Sequence, residues 1–342
     1  MKIDASLMFD PVKVGDMAAK LEDAGFDGAY TFEGQSDPFI ALTVAAMTTR
    51  RMDLMTSIAV AFARNPMSLA YLGNDLQNLS KGRFILGLGS QVRAHIERRF
   101  SMPWGKPVTR MREMVLAIRA IWHSWQTGER LKFEGEYYQH TLSSPIFSPR
   151  PNAYGVPKIF IAGVGPVMTE LAGEVADGCF VHPFHSVDSL EKLSLPAIQR
   201  GLSQAGKGRD AFTVSVQVVT AAGRDEKEHG EAVFAARNQI GFYASTPAYL
   251  PILKCHGLED MQADANRMVR GGRMGELASL IDDDVLQTFA VVGTPSEVAA
   301  QIVQRYHGTA DRISPVIYQP NRELFSQLRL EITRAQTRSD AA

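Results

Sequence analysis

The sequence predicts an α/β protein of the (β/α)8 class, a closed TIM barrel with insertions, on three observations. Short apolar segments bounded by turn residues alternate with stretches whose apolar residues recur at helical spacing. Eight such pairs fit into the 342 residues. No Pro- or Gly-rich linker divides the chain, so residues 1–342 read as one domain interrupted by insertions at about 129–156 and 225–290. A doubly wound open sheet shares the alternation, but eight units in a chain of this length favour closure.

The elements follow in order. Residues 2–9 read as a strand, and Val14, Met17, Ala18 and Leu21 then mark a helix that Gly25 closes. "DGAYTF" (27–32) is the second strand, before a helical stretch over 38–49. "MDLMTSIAVAF" (52–62) is the third, followed by Asn65 and Pro66 as cap and first-turn residue of the next helix. "RFILGLG" (83–89) is the fourth. Met111, Met114, Val115, Ile118, Ile121, Trp122 and Trp125 then line one wide apolar helix face. The first insertion holds a hairpin-like "LKFEGEYY" and a Pro-rich loop. "KIFIAG" (158–163) and "DGCFVH" (177–182) are strands five and six, separated by Val167, Met168, Leu171, Ala172 and Val175 at helical spacing. "FTVSVQVVT" (212–220) alternates as the seventh. After the second, largely helical insertion, Thr294, Pro295 and Glu297 form a capping-box start, and "DRISPVIYQ" (311–319) is the eighth strand.

Composition narrows the function. Thirty-six Lys and Arg against 37 Asp and Glu leave a formal charge of -1, which calls for neither nucleic acid nor an anionic membrane as partner. No apolar run approaches the roughly 20 residues that span a bilayer, and the N-terminus lacks a signal-peptide pattern. Two cysteines give no disulfide framework and no metal cluster. A cytoplasmic protein is the expectation, with any anion site local.

In a barrel of this class the chemistry lies where the strands end, so the residues after each strand are the candidates. They are Glu33 and Gly34, residues 57–64, residues 89–93, residues 163–166 and residues 182–185. Glu33 is suited to hydrogen-bond a ligand or handle a proton, or else to pair with an arginine at the rim. His182, with His185 in "HPFH", offers acid–base chemistry; a metal is not expected, because no third ligand stands at suitable spacing. "IAGVGPVMTELAG" puts two glycines between a strand and a helix start. There the unpaired amides would favour an anion, although glycines also serve simply to turn a chain. Arg93 falls near the predicted site, where a guanidinium could grip a phosphate, whereas His95, Arg98 and Arg99 read as a solvated helix face.

Five segments in one order resemble the bacterial-luciferase-like superfamily of flavin and deazaflavin oxidoreductases across nearly the whole chain. They are "AAKLEDAGFDGAYTFE", "RNPMSLAYLGNDLQNLSKGRFILGLGS", "RRFSMPWGKPVTRMREMVLAIRAIW" with "FEGEYY", "IAGVGPVMTELAGEVADG" and "VVGTPSEVAAQIVQRY". "SQVRAHIERRFSMPW" and "GEVADGCFVHPF" are similar to a subgroup that uses the deazaflavin coenzyme F420. The resemblance implies hydride transfer between F420 and a small organic substrate. Its alternative is an FMN-dependent two-component monooxygenase partnered by a separate reductase, and a third reading is a barrel that binds flavin without turnover. It implies a cis peptide at Ser57–Ile58, and contacts to the cofactor chain and phosphate from Ser90, Gln91 and Arg93. It also implies phosphate contacts from the turn Gly163, Val164, Gly165 and Pro166, and a homodimer formed through the early helices. Glu33 and Gly34 replace the Asp-His pair of sugar-phosphate and alcohol dehydrogenases, and Val92 replaces a frequent acid, so Glu33 or His182 would have to serve as the protonic group. Phe62, Trp104 and Phe184 are expected as aromatic walls.

Overall fold

The computed structural model describes residues 1–7, 10–318 and 322–341. The strands are β1 (Lys2–Ser6), β2 (Gly28–Thr31), β3 (Asp53–Thr56), β4 (Ala59–Val60), β5 (Phe84–Gly89), β6 (Phe133–Glu134), β7 (Gln139–His140), β8 (Lys158–Gly163), β9 (Gly178–Val181), β10 (Thr213–Ala222), β11 (Ala290–Gly293) and β12 (Arg312–Val316). Eight of them, in the order β1-β2-β3-β5-β8-β9-β10-β12, pair in parallel and close when β12 pairs with β1. The (β/α)8 barrel expected from the alternation is therefore present.

Local chemistry sets the helix boundaries. Asp37 caps the helix Pro38–Thr48 by accepting from Phe39 N, and Asn65 caps Pro66–Leu79 by accepting from Ser68 N. Thr294 and Glu297 form the expected capping box at Pro295–Tyr306. The helix Pro107–Thr127 buries Met111, Met114, Val115, Ile118, Ile121, Trp122 and Trp125 against the strands, the face foreseen from their spacing. It ends at Gly128, whose φ of 77° suits glycine best. The first insertion is the antiparallel hairpin β6–β7 with an irregular continuation.

Three expectations change in detail. The third strand breaks into β3 and β4 around Ser57–Ile58. The first and eighth strands end at Ser6 and Val316; residues 8, 9 and 319, included in the expected spans, lie outside the described residues. The second insertion, read as helical up to about 290, gives way there to an additional parallel strand, β11, paired from Val219↔Ala290 to Ala222↔Gly293.

Most buried apolar side chains fill the layer between strands and helices. Inside the barrel, Tyr30, Met55, Ile85, Phe160 and Phe180 form a separate cluster, with the Phe160 and Phe180 rings 5.2 Å apart. A third cluster, including Phe184, Ile240, Leu277 and Phe289, joins the second insertion to β10 and β11. At the barrel's N-terminal end the buried Arg312 of β12 holds Asp4 of β1 through two bonds of 2.8 and 2.6 Å and Asp53 of β3 at 2.6 Å.

Candidate active site

At the C-terminal ends of the strands lies a cavity of about 480 Å³, within the usual range of roughly 300–1,000 Å³ for small-molecule sites. Of the residues singled out from the sequence, Glu33, Ser57, Ile58, Gln91 and His182 line it. Ser90, Arg93, Gly163, Val164, Gly165 and Pro166 are not among its lining residues; they belong to the neighbouring strand-end turns. A hollow of about 490 Å³ at the other end involves the charged cluster of Lys2, Asp53 and Arg312. Catalytic loops of such barrels do not occupy that face.

One wall is the break between β3 and β4. The Ser57–Ile58 peptide is cis, as the resemblance implied. Ser57 N donates to Thr31 O at 2.8 Å, and Glu33 N donates to Ile58 O at 3.0 Å, so the break is tied to the end of β2. Gln217 of β10 reaches across and donates from Nε2 to Ser57 Oγ at 3.1 Å. Gly89 makes room for Ile58: a Cβ there would stand 2.7 Å from Ile58 Cδ1.

Glu33 is nearly buried. Its Oε2 accepts from Val60 N at 2.7 Å and from Arg64 Nη1 at 2.5 Å, and Arg64 Nη2 also meets Asp37 at 2.7 Å. This is the rim-arginine alternative of the sequence reading. His182 Nδ1 accepts from Phe184 N at 3.1 Å, which leaves Nε2–H to donate to Tyr249 Oη at 3.1 Å. Burial, with His185 beside it, lowers the His182 pKa to about 3, so the ring is neutral near pH 7. His185 bonds to His182 O at 2.9 Å and to Tyr306 Oη at 3.0 Å, and burial lowers it to about 4. Among the described residues, no group of three His, Cys, Asp or Glu side chains is placed to hold a metal ion.

The two loops expected to meet a cofactor differ in character. Gln91 has a φ of 57°, an uncommon left-handed conformation for this residue, and its Oε1 accepts from Val92 N at 2.9 Å. Arg93 begins the helix Arg93–Arg98, and its exposed side chain pairs with Glu97 at 2.9 Å. Arg99 is exposed, as expected, and also donates to Gly34 O at 2.9 Å and lies over the Phe100 ring. In the turn after β8, no side chain caps the helix Pro166–Val175, and a Cβ on Gly165 would meet nothing within 4 Å. Open space therefore faces the positive end of this helix.

The expected aromatic walls are corrected. Phe62 is fully buried against Trp104 and Arg110, and Phe184 stacks on Phe289 beneath the insertion; none of the three expected rings lines the cavity. The rings that do are Tyr30, Phe32, Tyr243, Tyr318 and Phe325. Tyr318 stands two residues beyond β12, where the strand-end rule points once it is applied to the last strand. Gln217 was not singled out from the sequence, where it is one of several polar residues, with Thr213 and Ser215, that alternate along the seventh strand. Tyr243 carried no sequence signal, because its helix reaches the cavity from an insertion.

Fold and cavity together define a (β/α)8 barrel with a small-molecule site at its strand ends, and comparison with known proteins places it more narrowly. Residues 4–312 match the luciferase-like monooxygenase family, and the chain belongs to that family. A protein of Mycobacterium tuberculosis described as uncharacterised is 49% identical over 323 residues, which cover 94% of this chain and 95% of that protein. The 5,10-methylenetetrahydromethanopterin reductase of Archaeoglobus fulgidus is 30% identical over 289 residues, 82% of each chain. Among solved structures, the coenzyme F420-dependent tetrahydromethanopterin reductase of Methanopyrus kandleri superposes with a TM-score of 0.81 at 21% identity, covering 97% of this chain and 98% of its own.

Proposed function

We propose that this protein is a coenzyme F420-dependent oxidoreductase that moves hydride between the deazaflavin and a small organic substrate. The observation that carries the reading is the cavity itself: a largely uncharged space at the strand ends, bounded by Ile58 and the Gln217–Ser57 bond, with aromatic side chains about it. Such a space suits a planar ring and a neutral reactant. Kinship with a Mycobacterium tuberculosis protein described as a putative coenzyme F420-dependent oxidoreductase, 26% identical over 309 residues, supports F420 over FMN.

When bound, the cofactor would supply the ring carbon that gives or takes hydride. Ser57, Ile58 and Gln91 would hold the ring, Ser90 would meet the chain, and the turn Gly163–Val164–Gly165–Pro166 would present amides to the phosphate. Arg93, two residues beyond Gln91, would serve the longer anionic tail. Glu33 and His182 position their neighbours in this reading: Glu33 is engaged by Arg64 and the Val60 amide, and His182 is a neutral donor to Tyr249. Ile40 and Met47, both exposed and seven residues apart on the apolar helix Pro38–Thr48, support self-association into a homodimer through that helix.

Fluorescence titration of the purified protein with F420 and with FMN, each oxidised and reduced, tests the assignment. Saturable F420 binding and turnover of an aldehyde, ketone or enone are expected. Binding of FMN alone would replace this reading by the FMN-dependent monooxygenase with a separate reductase. Binding without turnover would favour a non-catalytic flavin-binding barrel.

A further inference from the structure

Two phenols lining the cavity hold one proton more than their shared hydrogen bond uses. Tyr243, on the helix Glu226–Ala244, and Tyr318, beyond β12, bring their hydroxyl oxygens to 3.0 Å. Two hydroxyls that share one hydrogen bond hold two protons between them. One lies in the shared bond. Apart from the Gln239 amide beside Tyr243, the other finds no acceptor among the described residues and is free to meet a ligand in the cavity. Burial raises the pKa of both phenols, so both stay protonated across the physiological range.

The surroundings define what could accept that proton. Among the described residues, the cavity's one charged lining side chain, Glu33, is paired with Arg64. Gln91, Gln217, Ser57 and Tyr30 are neutral, and His182 is uncharged near pH 7. A ligand carboxylate or ammonium entering here would lose its water without gaining a counter-ion, which is costly. An uncharged carbonyl oxygen loses little on entry and gains a hydrogen bond. That bond also draws electron density from the carbonyl carbon, the atom that accepts hydride. Tyr243 is packed in place: the His182 ring meets it edge-on at 4.7 Å, and Tyr249 packs on both.

We infer that the Tyr243–Tyr318 pair is the substrate-recognition element of this cavity, and that it binds the oxygen of an uncharged aldehyde, ketone or enone. The inference rests on the hydride-transfer reading above and gives it a substrate class. Tyr243 is the residue through which the helical insertion shapes specificity.

The probe is 4-(dimethylamino)cinnamaldehyde, whose absorption moves to longer wavelength when its carbonyl accepts a hydrogen bond. Titrated into cofactor-free protein, it should show a saturable red shift in the wild type. Tyr243→Phe and Tyr318→Phe keep the rings, and their folding is checked by circular dichroism and thermal melting. Each should weaken binding by about tenfold, the scale of one lost hydrogen bond, or abolish the shift. Benzaldehyde should compete, and 4-carboxybenzaldehyde should compete at least about tenfold less well, since its charge finds no partner. An unchanged shift in both folded variants, equal competition by the charged aldehyde, or no shift in the wild type would overturn the inference. F420 titration of the same samples separates the two readings: a wild type that fails to bind F420 yet gives the shift and its loss in the variants overturns the cofactor assignment alone.

Discussion

Glu33 and His182 were legible as strand-end residues but not in their roles. Sequence position places a carboxylate at the barrel mouth; it does not reveal that Arg64 and the Val60 amide already engage it. Replacing Glu33 by Gln leaves Arg64 with Asp37 alone, and a loss of roughly 1–3 kcal/mol is expected in urea denaturation. His182 and His185 give the protein a pH signature. In the unfolded chain a histidine takes up its proton near pH 6.5, whereas in the fold these two wait until about pH 3 and about pH 4. Between those limits the unfolded state binds more protons, so stability falls as pH is lowered from about 6.5 toward 4. His185→Gln should flatten the dependence by up to about 1.4 kcal/mol per pH unit, because one differentially bound proton is removed. Melting temperatures measured from pH 4.5 to 7 check this; an unchanged slope would refute it. Ile58 and Gln91 were singled out from strand ends and resemblance together, and both line the cavity because they sit in short loops directly after strands.

At the scale of elements, the turn between β8 and the helix Pro166–Val175 joins sequence and chemistry most directly. Gly163 lets the helix approach, since a Cβ there would stand 2.5 Å from Thr169 Oγ1, while Gly165 leaves the helix start open. Gly165→Asp places a negative charge where the phosphate is proposed to sit. A drop of about tenfold or more in affinity for F420, with an unaltered melting temperature, is the expected outcome of a fluorescence titration. Undiminished affinity would remove this turn from the cofactor site. The strands and helices were readable because period and capping residues repeat through the chain. β11 escaped because a four-residue strand following directly on the helix Asp283–Phe289 has too few residues to show a period. Tyr243 escaped because its distance from any strand end in sequence hides its nearness in space.

For the whole molecule, the decisive contact is at the end of the barrel remote from the cavity. Arg312 of the last strand binds Asp4 of the first and Asp53 of the third, and all three groups are largely withdrawn from water. Burial raises the Asp4 pKa even with Arg312 against it. Arg312→Ala would leave the buried Asp4 without its cation and Asp53 with Lys2 alone, and a loss of about 3–5 kcal/mol is expected from chemical denaturation. An unchanged denaturation midpoint would show that the triad contributes nothing to closure. The triad also bears on the order of events during synthesis. Because the cation is encoded some three hundred residues after the first carboxylate, a ribosome presents the N-terminal strands long before their counter-charge emerges. Until then Asp4 has a reason to stay in water, and the seam between first and last strands is held apart by its own hydration. The ring therefore shuts only when nearly the whole chain is available.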